Sequence, residues 1–338
     1  MKRPLWFLLI AAFTGLAMAQ QSPNPALLAL SKQDHTLAIV DPSDLHVVTR
    51  IPVGDDPHEV MASADGKTAY ISNYGFGAFH TLTVIDLVGQ RSLGVIDLGA
   101  LRGPHGLAFA AGKVWFTAEA AKAVGSYDPS THSIDWIMGT GQNRTHMLNV
   151  FPDGKKIVTT NVNSGTVSII DKSEGHAGAL PNSLAPPSHS EDWVLTVVPV
   201  GRGSEGFDLS PDGKEVWVAN AGDGTISIVD IAEKKVTATL PANVPGANRL
   251  KFTPDGRRVL VSAGLYLVVL DVATHKEIKR LSVGHGLGGI QVQPDGIRAF
   301  VASGLDGFVA VIDLNALEVT AQIDVGKGPD GLAWAARQ

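Results

Sequence analysis

Seven residues occupy one equivalent place in a repeated pattern: His58, His105, His146, Glu205, Asn248, Gly288 and Asp330. Each stands at the entry to the first strand of its repeat, the histidines in PHEV, PHGL and THML and the glutamate in the EGF that follows. Neutral imidazoles and a carboxylate converging on one point are what a divalent transition metal needs, with bonds of roughly 2.0–2.2 Å. His58, His105 and His146 as ligands, with Glu205 as fourth ligand or general base, would leave a position for substrate. Zinc, copper, iron or manganese each suits such a set, as Lewis acid or to activate water or oxygen. The same residues suit the polar lining of a wet channel equally well, and the sequence leaves both readings open.

Four arginines lie close to these positions: Arg102, Arg144, Arg202 and Arg249. A guanidinium fork recognises carboxylate or phosphate through two parallel hydrogen bonds, so the expected ligand is a small anion, with Asn248 and Asp330 completing its contacts. The alternative is that the arginines pair with Asp55, Glu59 or Glu119. The segment SNYGFGAFHTL, residues 72–82, is longer than its equivalents and brings Tyr74, Phe76, Phe79 and His80 to the same face. Tyr74 and His80 are therefore candidate ligand contacts, and the segment is either a lid or a cap on its repeat.

These residues need a scaffold, and a hydrophobic triplet ending in Asp41, Asp86, Asp128, Asp171, Asp230, Asp271 and Asp313 supplies its period. The spacing is nearly constant except between Asp171 and Asp230. A period of about forty residues marks the blades of a propeller. Within residues 198–240, GFDLS, EVWVAN, TISIVD and VTATL read as four short strands, rich in Val, Ile and Thr and broken by Gly, Asp and Pro. Asp-Gly pairs beginning at Asp65, Asp153, Asp212, Asp255 and Asp295 suit turns whose glycine takes positive φ. Residues 27–54 supply three strands, and GPDGLAWA at 328–335 matches a first strand. The predicted fold is all-β: a seven-bladed β-propeller of four-stranded antiparallel blades, closed by pairing of the N- and C-terminal segments, which removes exposed strand edges.

VWVAN followed by GTISIVD (216–230), with TTNVNSGTVSIID (159–171), resembles the YVTN-repeat, YncE-like family of bacterial propellers. The resemblance covers most of residues 20–338. It implies the propeller and leaves the chemistry open, because such propellers serve as binding modules, dehydrogenase subunits and lactonases.

Residues 1–19 read as a cleaved signal peptide: Lys2 and Arg3, an apolar run from Leu5 to Leu16, then Ala17-Met18-Ala19. A periplasmic or secreted protein is expected, with no membrane insertion, since no other stretch reaches roughly 18 apolar residues. The net charge of −6 disfavours a nucleic-acid surface. The chain has no cysteine, which removes covalent c-type haem, thiolate-held iron–sulfur clusters and thiol catalysis. An insertion at about 172–193, rich in Pro, Ser, Gly and Ala, is expected to be an irregular excursion on the face opposite the histidines, open to a protein partner. GHGLGG at 284–289 precedes a strand and opens no helix, so it is not a nucleotide loop. Two functions remain: a metal-dependent hydrolase, lyase or oxidoreductase, or a non-catalytic scaffold that binds a ligand or protein.

Overall fold

The computed structural model describes residues 21–176 and 189–337; the segment read as a signal peptide, residues 1–19, lies outside them. Seven four-stranded antiparallel sheets form a ring. Numbered from the closing blade, their innermost strands are Pro329–Ala335, Pro57–Ala62, Pro104–Ala110, Thr145–Val150, Ser204–Leu209, Ala247–Phe252 and Leu287–Val292. Blade five shows the plan, continuing from its inner strand through Glu215–Asn220, Thr225–Asp230 and Lys235–Leu240. Blade one closes the ring as expected, because Pro329–Ala335 pairs with Ala26–Ser31.

The repeated aspartates build the outer turns. Asp41, Asp86, Asp128, Asp230, Asp271 and Asp313 each accept a backbone N–H from two or three residues further on. Asp171 differs because its strand runs on. Thr166–His176 and His189–Pro199 remain paired to His176 opposite His189, so both ends of the expected irregular insertion are strand; residues 177–188 lie outside the description. Trp193 explains part of that continuation, its ring packing 4.7 Å from Trp136 and 6.5 Å from Trp115. Between blades five and six the fully buried Trp217 meets Phe252 at 5.6 Å. No helix among the described residues is long and apolar enough to cross a membrane.

The inner strands are laid unusually close. A Cβ on Gly106, Gly206, Gly289 or Gly331 would come within 2.2–2.6 Å of a carbonyl oxygen on the next inner strand. Glycine is required there by contact, whatever its φ. The strands can therefore converge on a narrow channel, and the side chain one residue earlier on each strand is brought toward its neighbours.

Candidate functional site

Every ring residue identified in the sequence is the second residue of an innermost strand. In each blade the pairing register with the second strand shifts at that point, as between Pro57 and Val60, Pro104 and Leu107, and Thr145 and Leu148. Such a bulge leaves one residue out of the ladder and re-aims its side chain, a device common beside active sites. The N–H groups that the bulge frees are caught by hydroxyls of the second strand. Gly106 donates to Thr117 Oγ1 (2.9 Å), Glu59 to Ser72 Oγ (3.0 Å) and Arg249 to Ser262 Oγ (3.0 Å). Thr117 then donates to the carbonyl of His146 at 2.6 Å, and Thr160 to that of Glu205 at 2.9 Å. Buried hydroxyls thus tie one ring residue to the next.

The three histidines do converge. His105 lies between the others, with ring centroids 5.0 Å from His58 and 3.9 Å from His146. His146 Nδ1 makes a short hydrogen bond with Glu119 Oε1, and its Nε2 lies 2.9 Å from Glu205 Oε1, outside hydrogen-bond geometry. His105 Nδ1 is buried with no partner. Donor atoms of His105, Glu119 and His146 all lie within 4.8 Å of one another, and all three residues are buried, so the group could hold a metal ion. Buried polar atoms are ordinarily satisfied, so the unpartnered Nδ1 of His105 suits a ligand atom.

His58 completes the row in a ligand-ready tautomer. Its Nδ1 meets the carbonyl of Asp56 at 3.2 Å, leaving Nε2 to accept from Lys32 Nζ at 2.8 Å. Metal-binding histidines are commonly held this way, by a carbonyl on the far nitrogen. Lys32 also reaches Asp330 Oδ2 at 3.3 Å. Tyr74 packs edge-on against His58 (4.7 Å) and His105 (5.1 Å), and its hydroxyl donates to Glu119 Oε2 at 2.5 Å.

Burial lowers the pKa of His105 well below the ordinary imidazole value, helped by the neighbouring His146 and Arg249, and burial with the Lys32 charge lowers that of His58. Both shifts favour the neutral ring, the form that ligates metals. Burial also works against charge on His146, but Glu119 and Glu205 outweigh it and its pKa is raised. Burial would raise the pKa of Glu205, yet His146, Arg144 and Arg249 hold it down to about 2. The two carboxylates thus favour a proton on His146.

The arginines divide. Arg144 faces Glu119 (3.6 Å) and Glu205 (3.4 Å). Arg249 is buried in an ion pair with Glu59 that reaches across the channel, and its other nitrogen holds Asn248 Oδ1 at 2.9 Å. Arg202 is exposed and pairs with Asp223 at 2.6 Å, while exposed Arg102 reaches only the carbonyl of Ala78 at 3.4 Å. His80 sits with Asp97 at 2.8 Å, apart from the cluster. The pairing alternative therefore describes Arg144 and Arg249, each met by a carboxylate that the sequence had offered as a partner.

Glu119 and Lys32 were missed as site residues, although a signal for them exists. With Tyr74, they occupy a second equivalent position, the residue just after the second strand of each blade; its other occupants are Val162, Ala221, Gly264 and Gly304. A third equivalent position lies two residues before each ring residue and takes left-handed φ in all seven blades. Gly103, Gly203, Gly246, Gly286 and Gly328 fill five of these at φ 61–70°, while Asp56 (48°) and Arg144 (57°) fill the two beside the cluster. A non-glycine residue there is strained, and such strain concentrates at functional sites.

Beside the cluster opens a bowl of about 960 Å³, lined by Lys32, Asn248, Asp330, Phe76 and Phe79 and by many glycines.

No family model and no curated protein sequence matches this chain. Solved structures match its fold. A candidate 6-phosphogluconolactonase from Bacteroides uniformis superposes with a TM-score of 0.74 at 14% identity, covering 92% of this chain and 99% of that one. A protein of unknown function from Desulfotomaculum acetoxidans gives 0.73 at 12% identity, with 93% and 99% covered. The dihydro-heme d1 dehydrogenase NirN in complex with DHE gives 0.64 at 14% identity, with 91% and 74% covered. At such identities the likeness establishes the seven-bladed propeller and nothing about the reaction.

Proposed function

We propose that this chain is an exported, metal-dependent propeller of the YVTN-repeat kind that binds and transforms a small molecule with an anionic group. One observation carries the reading: His105, Glu119 and His146 are buried and offer donor atoms within 4.8 Å of one another, with His105 Nδ1 left without a partner. These three residues would be the core ligands, with His58 Nε2 and Glu205 at the rim, for zinc, copper, iron or manganese. A bound ion of this kind supplies a Lewis acid for a carbonyl or a low-pKa water, and iron or copper adds redox chemistry.

The chain's own groups have separable tasks. Tyr74 holds one oxygen of Glu119 and so turns the other toward His146. Thr117 fixes the backbone of His146. Glu205, ionised down to a pKa of about 2, is a base only for a strongly acidified proton and serves more readily as a charge or ligand. Arg144, 35% exposed and held by its carboxylates only at 3.4–3.6 Å, retains donors for an anionic group of the ligand. Hydrolase or lyase action on an anionic carbonyl compound would use this arrangement directly, and the lactonase-like neighbour is compatible with it.

Elemental analysis of the mature protein, purified without a histidine tag, tests the reading. Near-stoichiometric metal in the wild type, absent from a His105→Ala, His146→Ala variant that keeps its fold, is the expected result. Metal absent from both, even after reconstitution with each of the four ions, would overturn it and leave a ligand-binding scaffold.

A further inference from the structure

We infer that the bowl takes a flat, conjugated amphiphile, its uncharged body lying against Phe76 and its anionic end turned toward the histidines. The placement of that end rests on the metal reading above; the body's site does not.

Size comes first. About 960 Å³ is near the upper end of the ~300–1,000 Å³ that enclose drug-sized ligands, and a phosphate or acetate would leave most of it to water. The walls are next. Gly246, Gly264, Gly286, Gly288, Gly304 and Gly328 line one side, so that side presents peptide planes in place of side chains. A planar ring system can lie flat on such a wall.

Phe76 comes from the segment that follows the second strand of blade two, Thr68–Asn73. It is 88% exposed, yet it lines the bowl, and its ring stands 6.0 Å from that of Tyr74. Its backbone is left-handed (φ 50°) between two glycines that are also left-handed. A bulky side chain in that region costs on the order of 1 kcal/mol, and an exposed ring recovers nothing by burial. Glycine at 76 would remove both costs, so the fold does not account for the aromatic ring. Leu305 (79% exposed) and Leu265 (40%) follow the bowl-lining Gly304 and Gly264 in sequence.

Carboxylates outnumber cations inside the bowl: Lys32 meets Asp330 at 3.3 Å, and Asp55 and Asp56 also line it. An anionic end is therefore disfavoured in the bowl itself, which suits an uncharged body, while Arg144 supplies a cation beside the cluster.

The test uses anilinonaphthalenesulfonate, a flat aromatic anion, with decanoate and acetate as competitors. It is run on the wild type and on Phe76→Gly and Phe76→Leu variants by titration calorimetry and fluorescence. One probe per chain is expected, with affinity reduced roughly tenfold in Phe76→Gly and by less in Phe76→Leu, and with no loss of melting temperature in the glycine variant. Affinity unchanged in Phe76→Gly, or decanoate displacing the probe at a concentration equal to the probe's own, would overturn the inference. Repeating the titration on His105→Ala, His146→Ala separates the two readings. Phe76-dependent binding that survives metal loss supports the bowl alone, whereas metal binding without Phe76 dependence sinks the bowl alone.

Discussion

Blades one to four and blades five to seven follow one repeat, yet they treat its channel positions in opposite ways. At the residue after the second strand, blades one to three carry Lys32, Tyr74 and Glu119, whereas blades five to seven carry Ala221, Gly264 and Gly304. At the left-handed turn, blades two and four accept Asp56 and Arg144, while blades five to seven keep glycine. On the ring itself, blades two to five carry His58, His105, His146 and Glu205, whereas blades six, seven and one carry Asn248, Gly288 and Asp330. Donors thus concentrate on one side of the ring, and glycines of blades six and seven line much of the bowl on the other. Since the backbone is common to both, the difference reports what the side chains are for, not what the fold demands.

The strongest way to break this contrast is to give the donor sector a residue from the empty one. Glu119→Ala makes blade three match blade five at that position. It removes a ligand, frees Tyr74 and leaves His146 with Glu205 alone. Metal affinity should fall about a hundredfold or more, because second-shell losses by themselves cost ~10–100-fold. Competition with a metal-binding dye measures it; an unchanged affinity would show that the cluster's carboxylate is Glu205.

Acidity separates the sectors by a smaller factor. A raised pKa means that His146 contributes stability below its ordinary value of 6.5 and loses that contribution as pH rises through the raised value. Glu205 runs the other way: its contribution is present above the ordinary 4.5 and is lost as pH falls toward about 2. Metal binding must expel the proton from His146, so affinity should climb with pH, by at most about tenfold per unit, and level off above that pKa. In chelator the His146 contribution to melting temperature declines over the same range. A pH dependence of melting temperature that declines in chelator and flattens with metal is expected, and parallel slopes would exclude His146 as a ligand.

Much of this contrast can be read in the sequence, and the exceptions have physical reasons. The repeated aspartates and Asp-Gly turns fix the blade frame because hairpin geometry restricts those positions; Gly66, Gly154, Gly213, Gly256 and Gly296 all take positive φ. Within that frame one aligned position exposes His58, His105, His146 and Glu205 together. Glu119 and Lys32 are harder to see, since their neighbours in the same alignment are Val162, Ala221 and two glycines, and a position mostly filled by small residues reads as a turn. The arginines mislead for another reason. Proximity in sequence to the ring is shared by all four, but only burial distinguishes Arg249, spent on Glu59, from Arg202, spent on Asp223 at the surface. The channel's division into donor and empty sectors appears only when all three equivalent positions are compared at once.

Arg144 offers the smallest and cleanest perturbation. Its turn is left-handed, and five of the seven equivalents are glycine, so Arg144→Gly restores the commoner residue at a φ that suits it. Relief of strain should raise stability by up to about 1 kcal/mol, partly offset by greater freedom of the unfolded chain. The side chain's contacts to Glu119 and Glu205 are long and part-exposed, so their loss subtracts little. If arginine is nevertheless present because it holds an anionic ligand, the glycine variant should melt no lower than the wild type and keep its metal, yet bind an anionic probe several-fold more weakly. A variant that instead melts lower and loses metal would recast Arg144 as a structural counter-charge for the two carboxylates. The donor sector would then owe its strained turn to electrostatic balance within the cluster, with no part in recognising a ligand.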